Sequence, residues 1–435
     1  METAVAKKGF VKYDAYKDSG VDWLGEIPKH WVVRRIKYLF NEINERSFDG
    51  SEDLLSVSQY TGVTNKSDRL EAGGMLTNAA TLEGYKKVQK GDLVSNIMLA
   101  WNGSLGFSPF NGITSPAYSI YRLKSNDDRR YFHYMFRTEL YKSEFKRNSS
   151  GVIESRLRLY TDDFFAILSL LPPLPEQKAI ADFLDDKTAK IDQAIAQKEN
   201  MIALLKERKQ IIIQQAVTKG LNPNAKLKPS GVDWIGGIPE DWVVSKAKYY
   251  SKVFVPERAK PNLQTNSDGM PWVTTEILGD DYLHENNVKY HVTKTDIRLT
   301  GSRVLKRDSV LATCVGNFGI SSINPFDCII NQQIQAYTDL RLNPLFFIPQ
   351  VRLSKDYFSN NSTMTTIQYV SKDIFASIPI VITSLEEQEM IANYIEKQSI
   401  KIEQAIALQE TQIDRLKEYR ATLIDSAVSG KIKVV

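Results

Sequence analysis

Two polar stretches hold the side chains best suited to binding chemistry. The first, residues 142–158, reads KSEFKRNSSGVIESRLR and sets Lys142, Lys146, Arg147, Arg156 and Arg158 against Glu144 and Glu154, with Asn148, Ser149, Ser150 and Gly151 between them. The second, residues 359–368, reads SNNSTMTTIQ; it carries no charge and offers Asn360, Asn361, Thr363, Thr365 and Gln368. Arginine and lysine suit phosphates and the guanine edge, while asparagine and glutamine suit the adenine edge. Both stretches therefore have the groups needed to read a major groove. The same residue types also occur in any solvated loop, so each is a candidate and no more.

Groups for covalent or metal chemistry do not assemble. There is no Gly-x-x-x-x-Gly-Lys-Ser/Thr phosphate loop and no Gly-x-Gly-x-x-Gly cradle after a strand. The Asn-Pro-Pro-Tyr/Phe signature of adenine methyltransferases is also missing. Leu171-Pro172-Pro173-Leu174 lacks the asparagine, and Asn324-Pro325-Phe326 lacks the second proline. His284 and His291 stand seven apart with no cysteine or acidic residue at metal spacing, so no metal site is expected. Lys86, Lys87 and Lys90 read as a solvated face. Residues 101–106 and 315–319 read as tight turns, with an approach to DNA as the second reading of each. The chain is expected to bind and position, not to catalyse.

Something must hold those stretches in place, and the sequence supplies two long helical rods. From Glu176 to Thr218 there is no proline or glycine. Leu184, Thr188, Ile191, Ile195, Lys198, Ile202, Leu205, Lys209, Ile212 and Ala216 recur at alternating steps of four and three. This is a coiled-coil seam on a rod of about 65 Å, too polar for a bilayer and in need of a partner along its length. The partner is in the same chain. Ile395, Ser399, Ile402, Ile406, Gln409, Ile413, Leu416, Arg420, Leu423 and Ala427 repeat the seam at a constant offset of 211, which also relates Gln177 to Gln388 and Leu205 to Leu416. The first rod is acidic at its start and basic at its end, and the second starts acidic, which favours antiparallel pairing.

The duplication extends to the start of each half. SGVDWLGEIPKHW, from Ser19, returns as SGVDWIGGIPEDW, from Ser230. Each copy places a turn between two tryptophans, Trp23 and Trp31 or Trp234 and Trp242, which reads as a packing clamp in preference to a base-stacking platform. Between clamp and rod the helical period gives way to short β-type runs: LLSVSQY, DLVSNIMLAW, SIYRL and FFAILSLLPPL in one half, and WVTTEIL, RVLKRDSVLATCV, GISSI and FASIPIVI in the other. One helix is expected over Arg129–Phe145. The two heads share a layout but little residue text, as expected if they contact different things.

The bulk properties agree with a multi-domain globular protein. The chain has 435 residues, 42% hydrophobic and 25% charged, which is too long for a single core. No apolar run suggests a membrane span, and no leader suggests secretion. Cys314 and Cys328 are read as two unrelated thiols in a reducing cytoplasm. A net charge of +4 permits nucleic-acid binding without demanding it.

The order of clamp, head, Leu171-Pro172-Pro173-Leu174-Pro175-Glu176-Gln177, rod, and then all of it again resembles the specificity (S) subunits of Type I restriction-modification enzymes, over nearly the whole chain. The second approach to the rod departs from the Pro-rich pattern and reads Ile382-Thr383-Ser384-Leu385-Glu386-Glu387-Gln388. The resemblance implies an α+β fold: two α/β target recognition domains in tandem repeat, separated by two long helices that form an antiparallel coiled coil. It divides the chain into an N-terminal arm (1–18), recognition domain one (19–174), helix one (175–219), a linker (220–229), recognition domain two (230–385), helix two (386–430) and a tail (431–435) with no visible role. It further implies that each domain reads half of a split, asymmetric site in double-stranded DNA. Two methyltransferase (M) subunits would carry S-adenosylmethionine and flip the target adenine, and restriction (R) subunits would use ATP and Mg2+, with no cofactor on this chain.

Rods of that length would set the half-sites on the order of 45 Å, or about 13 base pairs, apart. The rival expectation is a two-armed coiled-coil scaffold for protein partners, with salt-insensitive binding and no affinity for DNA. A chain that methylates or cuts DNA by itself is the third.

Overall fold

The structure, a computed structural model, describes residues 10–59, 61–67, 81–153, 156–265, 268–363 and 367–434. Thr365, Glu154, Tyr60, residues 1–9 of the arm and Val435 fall outside them. The chain forms two compact units, residues 1–199 with 410–435, and residues 200–409.

In the first unit the head is built on an antiparallel sheet in the order Phe40–Ile43, Tyr118–Leu123, Leu93–Asn96, Leu105–Phe107. Two further strand pairs, Leu55–Ser58 with Gly62–Asn65 and Lys86–Val88 with Gly112–Thr114, accompany this sheet. Helices α1 (Arg129–Phe136), α2 (Glu139–Arg147) and α3 (Thr161–Ala166) bring Phe132, Phe136, Tyr141, Phe145 and Phe164 into one buried aromatic cluster with Phe40. The long helix α4 (Leu174–Lys219) follows.

The second head repeats the scheme. Its sheet runs Lys252–Phe254, Ile334–Thr338, Val310–Thr313, Ser321–Ile323, the same order and the same antiparallel sense. It adds a sheet of Tyr290–Val292, Met270–Val273 and Ile329–Ile330, the last two parallel. Its helices are α5 (Lys294–Thr300), α6 (Pro344–Leu353), α7 (Lys355–Asn361) and α8 (Lys372–Ala376), followed by the long helix α9 (Leu385–Val428).

Several expected elements end differently, each for a local reason. The single helix over Arg129–Phe145 is two, because the Thr138 hydroxyl accepts from Tyr141 N and so starts a new helix. DLVSNIMLAW is strand only over Leu93–Asn96 and then closes a 3-10 turn at Ala100–Asn102. The FFA and FA starts of the last β runs belong to α3 and α8, which leaves Leu168–Leu171 and Pro379–Ile382 as strands.

The rods pair antiparallel. In the first unit Asp192 faces Arg420 at 3.3 Å, Lys198 bonds Gln412, and Leu184, Ile191 and Ile195 share a cluster with Leu416, Leu423 and Ala427. In the second unit Lys209 meets Glu403 at 2.7 Å, and Ile213, Ala216 and Val217 pack with Ile391 and Ile395. Partner numbers rise on one helix as they fall on the other. Ile202, Leu205, Ile212, Ile402, Ile406 and Ile413 are buried or half-buried, while off-seam Met201, Leu204, Ile211, Ile400 and Leu408 are exposed, so the period of the seam decides what is covered. Thr188 and Ser399 are buried in the seam, and Lys198, Lys209 and Arg420 reach across it to polar partners.

Each clamp joins its head to the end of a rod. Val32–Arg35 pairs with Leu168–Leu171, and Val243–Lys246 with Pro379–Ile382, in matching registers. Trp31 and Trp242 are fully buried, which leaves no face for a base. At the end of α9 a Cβ on Gly430 (φ +75°) would come 3.1 Å from Trp31, and at the end of α4 a Cβ on Gly220 (φ +74°) would come 3.2 Å from Trp242. Only glycine fits both the left-handed backbone and the close approach.

The two termini have structure that the sequence hid. The arm forms strand Tyr16–Asp18 against Glu26–Pro28, and Tyr13 is buried. The tail is not passive: Ile432 enters the core of the first unit, and Lys433 N donates to Val11 O at 2.7 Å. The linker likewise holds strand Leu227–Pro229, paired with Gly237–Pro239.

Candidate nucleic-acid interface

The basic stretch lies on α2 and the loop after it. Tyr141, Glu144 and Phe145 face inward, and this turns Lys142, Lys146 and Arg147 outward. Lys142 pairs with Glu139, and Lys146 lies over the Trp101 ring, 5.1 Å from its centroid. Glu144 is buried, and its carboxylate accepts from Arg147 Nη2 and Asn148 Nδ2, both at 2.8 Å. Asn148 Nδ2 also donates to Glu144 O, and Ser149 Oγ to Phe145 O at 2.7 Å, so these two side chains close the helix end.

The uncharged stretch occupies the same place in the second head. Asn361 Nδ2 donates to Tyr357 O at 2.8 Å and Ser362 Oγ to Ser359 O at 2.9 Å, closing α7 as Asn148 and Ser149 close α2. Asn360 is exposed.

Both loops are pinched at the neck by backbone hydrogen bonds. Ser150 and Arg158 exchange N–H···O bonds of 2.9 Å in each direction, and Thr363 N donates to Tyr369 O at 3.0 Å. The next residue in each head, Leu159 or Val370, is buried and anchors the returning strand. Arg156 and Arg158 stand exposed at the first neck, as does Gln368 at the second.

The two tight turns neighbour these loops. Leu159 N donates to Ile97 O at 2.8 Å, and Lys142 packs on Gly103. In the second head Val370 N donates to Cys314 O and Gly316 N to Gln368 O, both at 2.9 Å. Each head thus brings a helix end and the pinched loop that follows it against a turn from far away in sequence.

Other titratable groups serve the fold. Lys86 is buried and not part of a solvated face; burial lowers its pKa, while Lys87 pairs with Glu52 at 3.0 Å. The expectation of a solvated face fails at Lys86 because a strand alternates faces and the run Lys86-Lys87 puts one lysine inward. Burial, then the neighbouring Arg137, pushes His133 down to about 4, so its imidazole is neutral at pH 7. Cys314 and Cys328 are both fully buried free thiols, pushed up to about 12 by burial. No cluster of metal-ligating side chains occurs among the described residues, and none of their helices is long and apolar enough to cross a membrane.

Two groups of residues were missed from the sequence. The repeated glutamines fasten each head to its rod. Gln177 Oε1 accepts from Asp128 N, the N-cap of α1, and Nε2 donates to Asp127 Oδ1 and Pro172 O, all at 2.9 Å. Gln388 Oε1 accepts from Asn343 N, the N-cap of α6, and Nε2 donates to Thr383 O at 2.8 Å. Their 211-residue repeat was the available signal. The second group is apolar and exposed: Val152 and Ile153 at the first loop, Tyr160 beyond it, Met98 and Leu99 on the turn, and Ile367 in the second head. Two β-branched residues directly after Gly151 in a polar stretch were the available sign.

The sequence profile of the Type I restriction modification DNA specificity domain matches twice, over residues 28–203 and 239–418. The Type I restriction enzyme MjaVIII specificity subunit of Methanocaldococcus jannaschii is 24% identical over 378 residues, covering 80% of this chain and 83% of that one. The HsdS subunit from Thermoanaerobacter tengcongensis superposes with a TM-score of 0.54 at 14% identity, over 93% and 98% of the two chains. A chain from a structure on complex assembly and conformational transition of the type I R-M system gives 0.69 at 14% identity, over 92% and 98%. With two tandem specificity domains and a pair of long helices packed together, the chain belongs to the Type I restriction-modification DNA specificity family, the non-catalytic DNA-recognition component of those systems.

Proposed function

We propose that recognition domains 19–174 and 230–385 each read one half of a bipartite, asymmetric DNA site through their pinched loops and neighbouring turns. The observation that carries this reading is the contrast between two heads with the same sheet order and the same loop closure. The helix end and loop of one head are rich in arginine and lysine, and those of the other are uncharged from Ser359 to Gln368 and rich in asparagine and threonine. A shared frame with unlike contact chemistry suits two unlike half-sequences. The exposed cations Lys146, Arg147, Arg156 and Arg158 supply phosphate and guanine contacts, and Asn360, Thr363 and Gln368 supply base-edge donors and acceptors. Asn148, Ser149 and Asn361 hold the helix ends that present them, and Thr365 completes the candidate set.

In this reading α4 and α9 act as the spacer between the heads. Two methyltransferase subunits dock on the complex with S-adenosylmethionine, and restriction subunits bring ATP and Mg2+, all in the cytoplasm. Sequencing N6-methyladenine in the host genome with and without the gene tests it. A split motif that vanishes with the gene is expected; methylation that does not depend on the gene, together with salt-insensitive partner binding and no DNA affinity, would instead favour the protein scaffold.

A further inference from the structure

The first head holds two apolar side chains out in water at the tip of its cationic loop. Val152 is 98% exposed and Ile153 is 53% exposed. The loop that carries them is fixed at its neck by the reciprocal Ser150 and Arg158 backbone bonds, and a Cβ on Gly151 would lie 2.6 Å from Arg156 O, so the strands cross closely there. Exposed Lys146 and Arg147 precede the neck in the chain, and exposed Arg156 and Arg158 follow the tip, Arg158 closing the neck itself. Four cations suit phosphates, yet Val152 and Ile153 offer nothing to a phosphate or to a base edge other than a thymine methyl. What such a pair can do on a DNA surface is enter the stack, since apolar wedges between base steps unstack and kink a duplex.

We infer that Val152 and Ile153 form a wedge that opens one base step in the half-site read by the first head. The inference rests on the DNA-reading function proposed above. The four exposed cations hold the DNA backbone while the β-branched pair, which loses little side-chain freedom, fills the opened step. Opening a step beside the target also lowers what extrusion of the adenine costs the methyltransferase.

The test uses the full chain in complex with its methyltransferase partner, on duplexes carrying 2-aminopurine at successive positions of the mapped half-site. A several-fold fluorescence rise is expected at one step other than the methylated adenine. The Val152→Ser, Ile153→Ser double variant is expected to lose that rise and bind about tenfold more weakly, with the half-site of the second head unchanged in the methylome. Val152→Leu with Ile153→Leu is expected to keep the rise. A rise that persists in the serine variant, or a bound duplex with no rise away from the methylated adenine, overturns the wedge. So does a serine variant that binds DNA normally but no longer assembles with the methyltransferase, which would assign the tip to a protein partner. A native complex that binds no split site at all contradicts the proposed function instead.

Discussion

The side-chain amide of Gln177 accepts a hydrogen bond from the backbone N–H of Asp128 at 2.9 Å, and so ties the first turn of a long rod to the N-cap of a head helix. Gln388 does the same for Asn343, also at 2.9 Å. Both glutamines are fully buried, and the backbone N–H groups they hold belong to the half-buried Asp128 and Asn343. Gln177→Leu is expected to destabilise the first unit by about 1 to 3 kcal/mol, because it leaves the half-buried Asp127 and Asp128 and the buried Pro172 O without their hydrogen bonds. Gln388→Leu should act in the same way on the second. Hydrogen exchange resolved by peptide checks this: protection should fall around 128–136 in one variant and around 343–353 in the other.

The two buried tryptophans should respond unequally to loss of the indole N–H. Trp242 Nε1 donates to Glu387 Oε2 at 2.9 Å, whereas Trp31 Nε1 has no hydrogen-bond partner among the described residues. In the first unit the matching Glu176 is taken instead by Tyr13 and by His30 at 2.8 Å. Trp242→Phe is therefore expected to cost about 1 to 2 kcal/mol more than Trp31→Phe, the difference being a hydrogen bond to a charged group. Unfolding midpoints of the two variants measure it.

Acid should weaken the first head through His133. Its folded value, about 4, lies below the ordinary 6.5 of the unfolded chain, so between those pH values only the unfolded chain takes up the proton. The stability is present above pH 6.5 and is lost as pH falls towards 4. At pH 5 the loss from this residue is on the order of 2 kcal/mol. His133→Gln should flatten that part of the profile in urea titrations at pH 7 and pH 5.

The cationic loop should dominate the salt dependence of DNA binding. Arg156→Gln with Arg158→Gln is expected to weaken binding across sequences and to lower the log–log salt slope by about 1 to 2. Asn360→Ala, on the uncharged loop, should leave the slope alone and relax one position of the other half-site. Binding isotherms at several salt concentrations check the first, and methylome mapping the second.

Long-range order along the chain was readable where one residue type recurs at a fixed period. The seam of α4 and α9 and the twin clamps follow from repeats such as Leu205 with Leu416 and Trp31 with Trp242, and the antiparallel sense from the unlike charge of the two ends of the first rod. What tertiary contacts decide was not readable. Nothing near Lys86 says that it points inward, and nothing near Ile432 says that the tail enters a core. The candidate loops were picked out by composition, but their pinched necks depend on Leu159 meeting Ile97 and Val370 meeting Cys314, each across more than fifty residues of chain. The helix break at Thr138 was within reach, since a threonine ahead of Glu139 is an ordinary N-cap.

In the proposed function the paired rods α4 and α9 measure the distance between two unlike reading heads. One heptad inserted into each rod, near Asn200 and Thr411, adds about 10 Å, or roughly two to three base pairs of duplex. Methylome sequencing of a strain carrying that variant reads the outcome directly. The same two half-sequences separated by a longer gap are expected; an active variant that still methylates sites with the original gap would show that the rods do not set the distance.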